Sequence, residues 1–222
     1  MTCQTVGDLL GAIERIAPLI SEHAASAEAD RHLSDAVYHA MYDAGLYGML
    51  APKAYGGIEL HPTNCLRLWE AVARIDAAAA WNLVMNQAIA AYSAWLPPKG
   101  VAELFASGIP TIAGALHPPA KAVRADGGWR ITGQVPFASG CHHTQWLVMP
   151  AQEEGADTPF GIFFPRQSAT IVNAGVKMYR RAGVKLHHGW TPNAPTARLC
   201  CTTNRMRSDC LTGECFRDFE PA

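Results

Sequence analysis

Residues 128–143 read Gly-Trp-Arg-Ile-Thr-Gly-Gln-Val-Pro-Phe-Ala-Ser-Gly-Cys-His-His. The alternation around Trp129 and Ile131 predicts a strand that runs straight into a loop. That loop presents the Phe137 ring, the Ser139 hydroxyl and backbone amides next to Gly140. An apolar face with donors at its edge is what a flat, electron-accepting ring such as a flavin requires. The pleat separates neighbours by face, so Phe137 and Ser139 are expected on one side and Ala138 on the other. Ser139 is not read as a hydrolase nucleophile, because the Gly-x-Ser-x-Gly elbow is absent. Cys141, His142 and His143 do not form a metal site by their spacing, since adjacent residues on extended backbone point to opposite sides. No metal is expected. His142 and His143 read as solvated loop residues.

The elements that must position this loop follow from periodicity. Leu9, Ile13, Ile16 and Ile20 recur at helical spacing, with Pro18 marking a kink. Ser34 is placed to cap a second helix that Gly45 ends. A third helix spans about 63–75, with Leu66, Trp69, Val72 and Ala73 on one side. Asp76 caps a fourth helix, apolar nearly all round, that reaches Leu96 and reads as central and buried. Trp81 and Trp95 on it read as core aromatics. Pro97-Pro98 stops it, and a short helix follows to Ala106. Beyond Pro110 the spacing changes to strands: 111–115, a hairpin of 121–125 and 129–135 turned by Asp126-Gly127-Gly128, then 146–149 and 160–164. Helices followed by strands give an α+β chain with a mainly antiparallel β domain. The expected domains are helical residues 1–108, β residues 109–173 and an atypical tail, 174–222.

Composition narrows the function. Of 222 residues, 49% are hydrophobic and 17% charged, with a formal net charge of -1. Nucleic-acid binding through a basic face is not expected. No apolar run suggests a membrane span, and no basic-then-apolar leader is seen, so a cytoplasmic location is expected. Gly-x-Gly-x-x-Gly and P-loop fingerprints are absent, which excludes a Rossmann crevice as the nucleotide site. Past about Asn173 the character changes: residues 174–222 hold eight Lys/Arg against four Asp/Glu, without periodicity. Cys200, Cys201, Cys210 and Cys215 lack metal-type spacing. This tail reads as disordered or out of frame.

With these elements in place, the chain resembles the acyl-CoA dehydrogenase superfamily of flavoproteins over about residues 8–172. The resemblance rests on the phrase 43–57, Asp-Ala-Gly-Leu-Tyr-Gly-Met-Leu-Ala-Pro-Lys-Ala-Tyr-Gly-Gly, on Asp76-Ala-Ala-Ala-Ala-Trp-Asn82, and on the strand region that follows. The 136–143 phrase is similar to that of the flavin-dependent monooxygenase branch. The resemblance implies a flavin, FAD or FMN, used in reduced form if the protein is a monooxygenase. It places Phe137, Ala138 and Ser139 at the family's Trp-Ile-Thr flavin phrase. It places Gly114 and Ala120 at the hydroxyl positions of the other flavin strand, where only backbone remains to contact the cofactor. Ser139 is the implied catalytic residue, at flavin N5 or at an oxygen adduct of the ring. Asn82, Asn86 and Gln87 stand where phenol hydroxylases carry a substrate-facing His. The implied partners are a small apolar or aromatic substrate, a flavin reductase and, at full length, further copies of the chain. The family's C-terminal helical bundle is not found in this sequence, which implies weak flavin binding or none. Two readings stand: a truncated flavin-dependent oxidoreductase or monooxygenase, and a catalytically silent fragment that acts as an association module.

Overall fold

The computed structural model describes residues 4–125 and 128–171, together with 199–200 and 212–213. The first helix, α1 (Val6–Asp30), starts from a reciprocal cap. Thr5 Oγ1 accepts the Asp8 N–H at 3.2 Å, and the Asp8 carboxylate accepts the Thr5 N–H at 2.8 Å. Two otherwise orphaned donors are satisfied in this way, an arrangement worth about 1 kcal/mol. The helix continues through Pro18 and ends where Arg31 turns into the left-handed region at φ 64°. Helix α2 (Asp35–Asp43) is capped by Ser34, whose Oγ accepts the Val37 N–H at 3.3 Å. Gly45, at φ 81°, then opens a 3-10 turn over Leu46–Gly48.

Helix α3 (Pro62–Ile75) buries Cys65, Leu68 and Val72. Of the expected face, Val72 is buried, while Leu66 and Ala73 are exposed. Leu66 is 60% exposed, and Trp69 stays at the boundary. Both stripes have helical spacing, and packing against α1 and α4 selects the one through the small Cys65. Helix α4 (Ala77–Ala90) is capped by Asp76 Oδ1 on the Ala79 N–H at 2.7 Å. Its last expected turns are 3-10 backbone over Ala91–Trp95. Helix α5 (Pro98–Leu104) follows. Leu9, Ile13, Met41, Leu46, Leu68, Val72 and Leu83 form one apolar core among α1 to α4.

The strands are β1 (Ile112–Gly114), β2 (Ala120–Ala125), β3 (Gly128–Gly133), β4 (Trp146–Glu153) and β5 (Phe160–Pro165). Two short strands follow, β6 (Leu199–Cys200) and β7 (Thr212–Gly213). The sheet order is β6-β3-β2-β4-β5-β7, with β1 also on β4. The sheet is mixed and not antiparallel throughout. β1 and β2 both run parallel to β4, Ala113 opposite Leu147 and Lys121 opposite Gln152. The chain steps out after Gly114 and returns in the same direction, so two stretches share one edge of β4. Hairpin pairing governs β2 with β3 and β4 with β5. Apart from β6 and β7, the tail set apart in the sequence lies outside the described residues.

Both faces of the sheet are occupied. Leu147, Met149 and Ala151 pack with Ile131, Ile162 and Phe164 on one side. Val148 and Phe163 point the other way and meet Ile89, Leu96, Leu104 and Ile112. This second cluster joins the end of α4 to the sheet and fixes the helical region against the strands.

The buried face of α3 makes a direct test. Leu68→Ala is expected to cost about 2–5 kcal/mol, because it empties a closed core position. Leu66→Ala should stay within about 0.5 kcal/mol, as exposed substitutions do. Urea unfolding of both variants measures the difference.

Candidate functional site

Residues 134–145 connect β3 to β4 and carry the loop singled out in the sequence. The loop is a chain of tight turns, so the pleat expected there is absent. The Ser139 N–H donates to the Phe137 carbonyl at 2.9 Å, Cys141 to Ala138 at 3.1 Å, and His143 to Gly140 at 3.2 Å. Phe137 has φ 63° and Gly140 has φ 82°. A left-handed Phe is uncommon and is held only where the surroundings require it. The side-chain directions are therefore set by these turns and not by strand alternation.

The loop sits on α4. Trp81 Nε1 donates to Ser139 Oγ at 3.3 Å. One residue on, Gly140 lies against an asparagine pair: a Cβ there would come within 2.5 Å of Asn86 Nδ2 and 2.9 Å of Asn82 Nδ2. Asn86 Nδ2 donates to the Asn82 carbonyl at 3.3 Å, and Tyr47 Oη donates to Asn82 Oδ1 at 3.1 Å. Burial pushes the Tyr47 hydroxyl pKa far up, so it remains a neutral donor. Gln87 accepts from Trp69 Nε1 at 2.7 Å and donates to the Leu46 carbonyl. Asn82 and Gln87 thus join elements of the helical region. Asn86 Oδ1 is buried with no hydrogen-bond partner among the described residues.

The far end of the loop is fastened to α2. His143 Nε2 lies 3.0 Å from Asp35 Oδ1, and its ring stacks on Tyr38 at 4.9 Å and 18°. His142 stacks on His32 at 4.4 Å. The reading of His143 as a solvated residue is corrected: only 8% of its side chain is exposed. Burial lowers its pKa, opposed by the hydrogen bond and charge of Asp35, and the neighbouring His32 and His142 lower it further. Tyr38 Oη meets Thr111 Oγ1 at 3.1 Å, and Tyr42 Oη donates to the Ile109 carbonyl at 2.9 Å, so α2 also holds the entry to β1. Arg166 Nε donates to the Cys141 carbonyl at 3.2 Å from the other side.

The remaining candidates are distributed as follows. Phe137 is 52% exposed and Trp81 39%. Trp81 and Trp95 are surface aromatics and not the core residues expected, because the buried side of α4 is taken by Ala79, Ala80 and Leu83. Ala138 is half-buried and gives its carbonyl to Cys141. Gly114 is inside the sheet, where a Cβ would strike the Val148 carbonyl. Ala120 is buried in the sheet core. These last two have only backbone to offer a ligand. The structure thus places Ser139 against α4, leaves Phe137 exposed beside it, and keeps Gly114 and Ala120 within the strands. Among the described residues no cluster of three His, Cys, Asp or Glu is arranged to hold a metal ion. The sequence reading missed the bond from Trp81 to Ser139 and the Asp35–His143–Tyr38 contact. Both join residues more than fifty positions apart, and no local pattern signals them.

Helices α1 to α4 followed by this mixed sheet are the N-terminal and middle regions of the acyl-CoA dehydrogenase fold. Residues 12–96 match the family model described as acyl-CoA dehydrogenase, N-terminal domain. Over these regions the chain is similar to the acyl-CoA dehydrogenase superfamily and, within it, to proteins named as hydroxylases and flavin-dependent monooxygenases. A pigment production hydroxylase from a Rhodococcus species is 28% identical over 75% of this chain and 44% of its own length. Indole-3-acetate monooxygenase from Pseudomonas putida is 30% identical over 64% of this chain and 37% of its own. The solved structure of XiaF from a Streptomyces species, in complex with FADH2 and glycerol, superposes with a TM-score of 0.77. It is 20% identical, and the match covers 94% of this chain and 50% of that one. The chain spans less than half the length of these two curated relatives.

The seat of the loop on α4 is tested by two glycines of equal φ. Gly155, at φ 83°, has nothing within 4 Å of a Cβ. Gly155→Ala should show only the backbone cost of a left-handed alanine, about 1 kcal/mol. Gly140→Ala should cost clearly more, because the Asn82 and Asn86 amides must move. Chemical denaturation of both variants gives the difference.

Proposed function

We propose that this chain is the N-terminal and middle part of a flavin-dependent monooxygenase oxygenase component, and that its 136–143 loop forms one wall of the flavin site. The observation that carries the reading is the exposed Phe137 ring two residues from a hydroxyl that is itself oriented by Trp81. The names of the relatives, a hydroxylase and a monooxygenase, support it.

The residues present fit a flavin. An apolar ring stands beside a polar hydroxyl at the surface, and the backbone around Gly140 is turned by successive tight bends. FAD and FMN remain equal candidates for this wall. Reduced flavin, when bound, supplies the activation of oxygen, and the protein supplies position and electrostatics. Phe137 would cover one apolar part of the ring. An indole N–H is a donor only, whereas a hydroxyl both donates and accepts. Ser139 Oγ accepts from Trp81 and, as a hydroxyl, would hold a bound flavin edge by a hydrogen bond. Tyr47, held neutral by burial, keeps the Asn82 amide fixed beneath the loop. The carboxylate bonded into this loop is Asp35, and it is engaged with His143.

A small apolar or aromatic substrate, a flavin reductase as electron source, self-association and a cytoplasmic location belong to the same proposal. No helix among the described residues is long and apolar enough to cross a membrane.

Anaerobic titration of the chain with reduced FAD and FMN tests the reading. The expected result is weak, saturable binding. Phe137→Ala should weaken it by about 1 kcal/mol, the scale of an aromatic contact, or roughly fivefold in Kd. Binding that Phe137→Ala leaves unchanged would remove the loop from the site. Tight stoichiometric binding with turnover would show that residues 174–222 complete the site.

A further inference from the structure

The contacts at the far end of the loop have a chemical property that its seat on α4 lacks: they are made by imidazoles. We propose that His143 is a positioning residue whose neutral form holds the Ser139 loop on the helices, so that protonation of His143 releases the loop. The inference is independent of any flavin and concerns the chain alone.

The argument starts from the two nitrogens. Nε2 faces the Asp35 carboxylate at 3.0 Å, so it carries the proton in the neutral ring. Nδ1 is then a bare acceptor, and it is buried with no hydrogen-bond partner among the described residues. Adding a proton there creates a buried N–H without an acceptor and a charge on a ring that is mostly covered. Both are costly in a low-dielectric setting. The groups around the ring decide whether the cost is recovered. From α2 come Asp35 and the Tyr38 face; from the segment after α1 comes His32, with ring centroids 5.7 Å away; from the loop itself comes His142. His39 lies beyond, edge-on to Tyr38 at 5.1 Å. Asp35 is the anion of the group, but its side chain is 88% exposed, so solvent screens its attraction. Tyr38 is neutral, since burial raises its pKa. His32 and His142 also weigh against a proton on His143. The balance favours the neutral ring, in agreement with the lowered pKa of His143.

The sign follows. A histidine whose folded pKa lies below its free value contributes stability that is fully present above about pH 6.5. The contribution is lost as the pH falls through the lower folded value. Protonation acts on a short lever: Ser139 and Gly140 are four and three residues from His143, within the same series of tight turns. Loosening His143 from Asp35 and Tyr38 therefore frees the segment that Trp81 holds.

The Trp81 indole N–H is a reporter of that segment, because it donates to Ser139. Its proton resonance, assigned by comparison with Trp81→Phe, is followed in the full chain from pH 8 to pH 5 without ligand. The expected result is a shift toward the position of a free indole, with a midpoint below 6.5. His143→Gln, which cannot titrate, should abolish the inflection. Asp35→Asn removes the one stabilising anion and should move the midpoint to lower pH. A resonance that does not move in the wild-type chain overturns the proposal, as does an inflection that persists in His143→Gln. If His143→Gln does not fold, Asp35→Asn decides: an unchanged midpoint overturns the proposal and a lowered one supports it.

Discussion

The candidate site depends on one close approach, that of Gly140 to the Asn82 and Asn86 amides of α4. Glycine is favoured there, because φ is 82° and a Cβ would displace two side-chain nitrogens. The approach lets the loop lie on the helix at backbone distance. It brings Ser139 within reach of Trp81, and it turns Phe137 outward. The loop has no ladder of its own, so its shape is borrowed from the helix it rests on.

That dependence requires α4 to be immobile, and burial fixes it at its middle and at its C-terminal end. Leu83 enters the core shared with α1 to α3, while Ile89 enters the cluster with Ile112, Val148 and Phe163. The helix therefore belongs to both halves of the molecule. Its polar residues are bound in the same way: Asn82 through Tyr47, and Gln87 through Trp69 and the Leu46 carbonyl. Such buried amides are costly unless satisfied. Here they convert the contact of α4 with the helical core into a specific register. Trp81 is left at the surface by that register, beside the loop.

The relation to the acyl-CoA dehydrogenase superfamily gives this arrangement its meaning. An exposed aromatic ring next to an oriented hydroxyl is an open wall. The proposed flavin wall lies in the described part of the chain, while the relatives it matches are more than twice as long as the matched segment. The proposed role of His143 concerns the same loop, since an imidazole is a group whose charge can change near neutral pH.

The helices were legible in the sequence because their signals are local. Thr5, Ser34 and Asp76 are caps whose partners lie three residues away, and a 3.6-residue period is visible without any neighbour. The hairpin of β2 and β3 was legible for the same reason. The phrase 136–143 could be singled out by its residue types alone. Tertiary packing decided the rest. It chose Cys65 over Leu66 on α3, because two stripes have the same period and only contact with α1 and α4 separates them. It made β1 and β2 parallel to β4, a pairing that no turn sequence encodes. It replaced the pleat at Phe137 by tight turns, and it put Trp81 on Ser139 and Asp35 on His143. Those bonds span 58 and 108 residues. A sequence specifies such bonds only through the whole fold, because the free energy that holds them comes from packing the elements between.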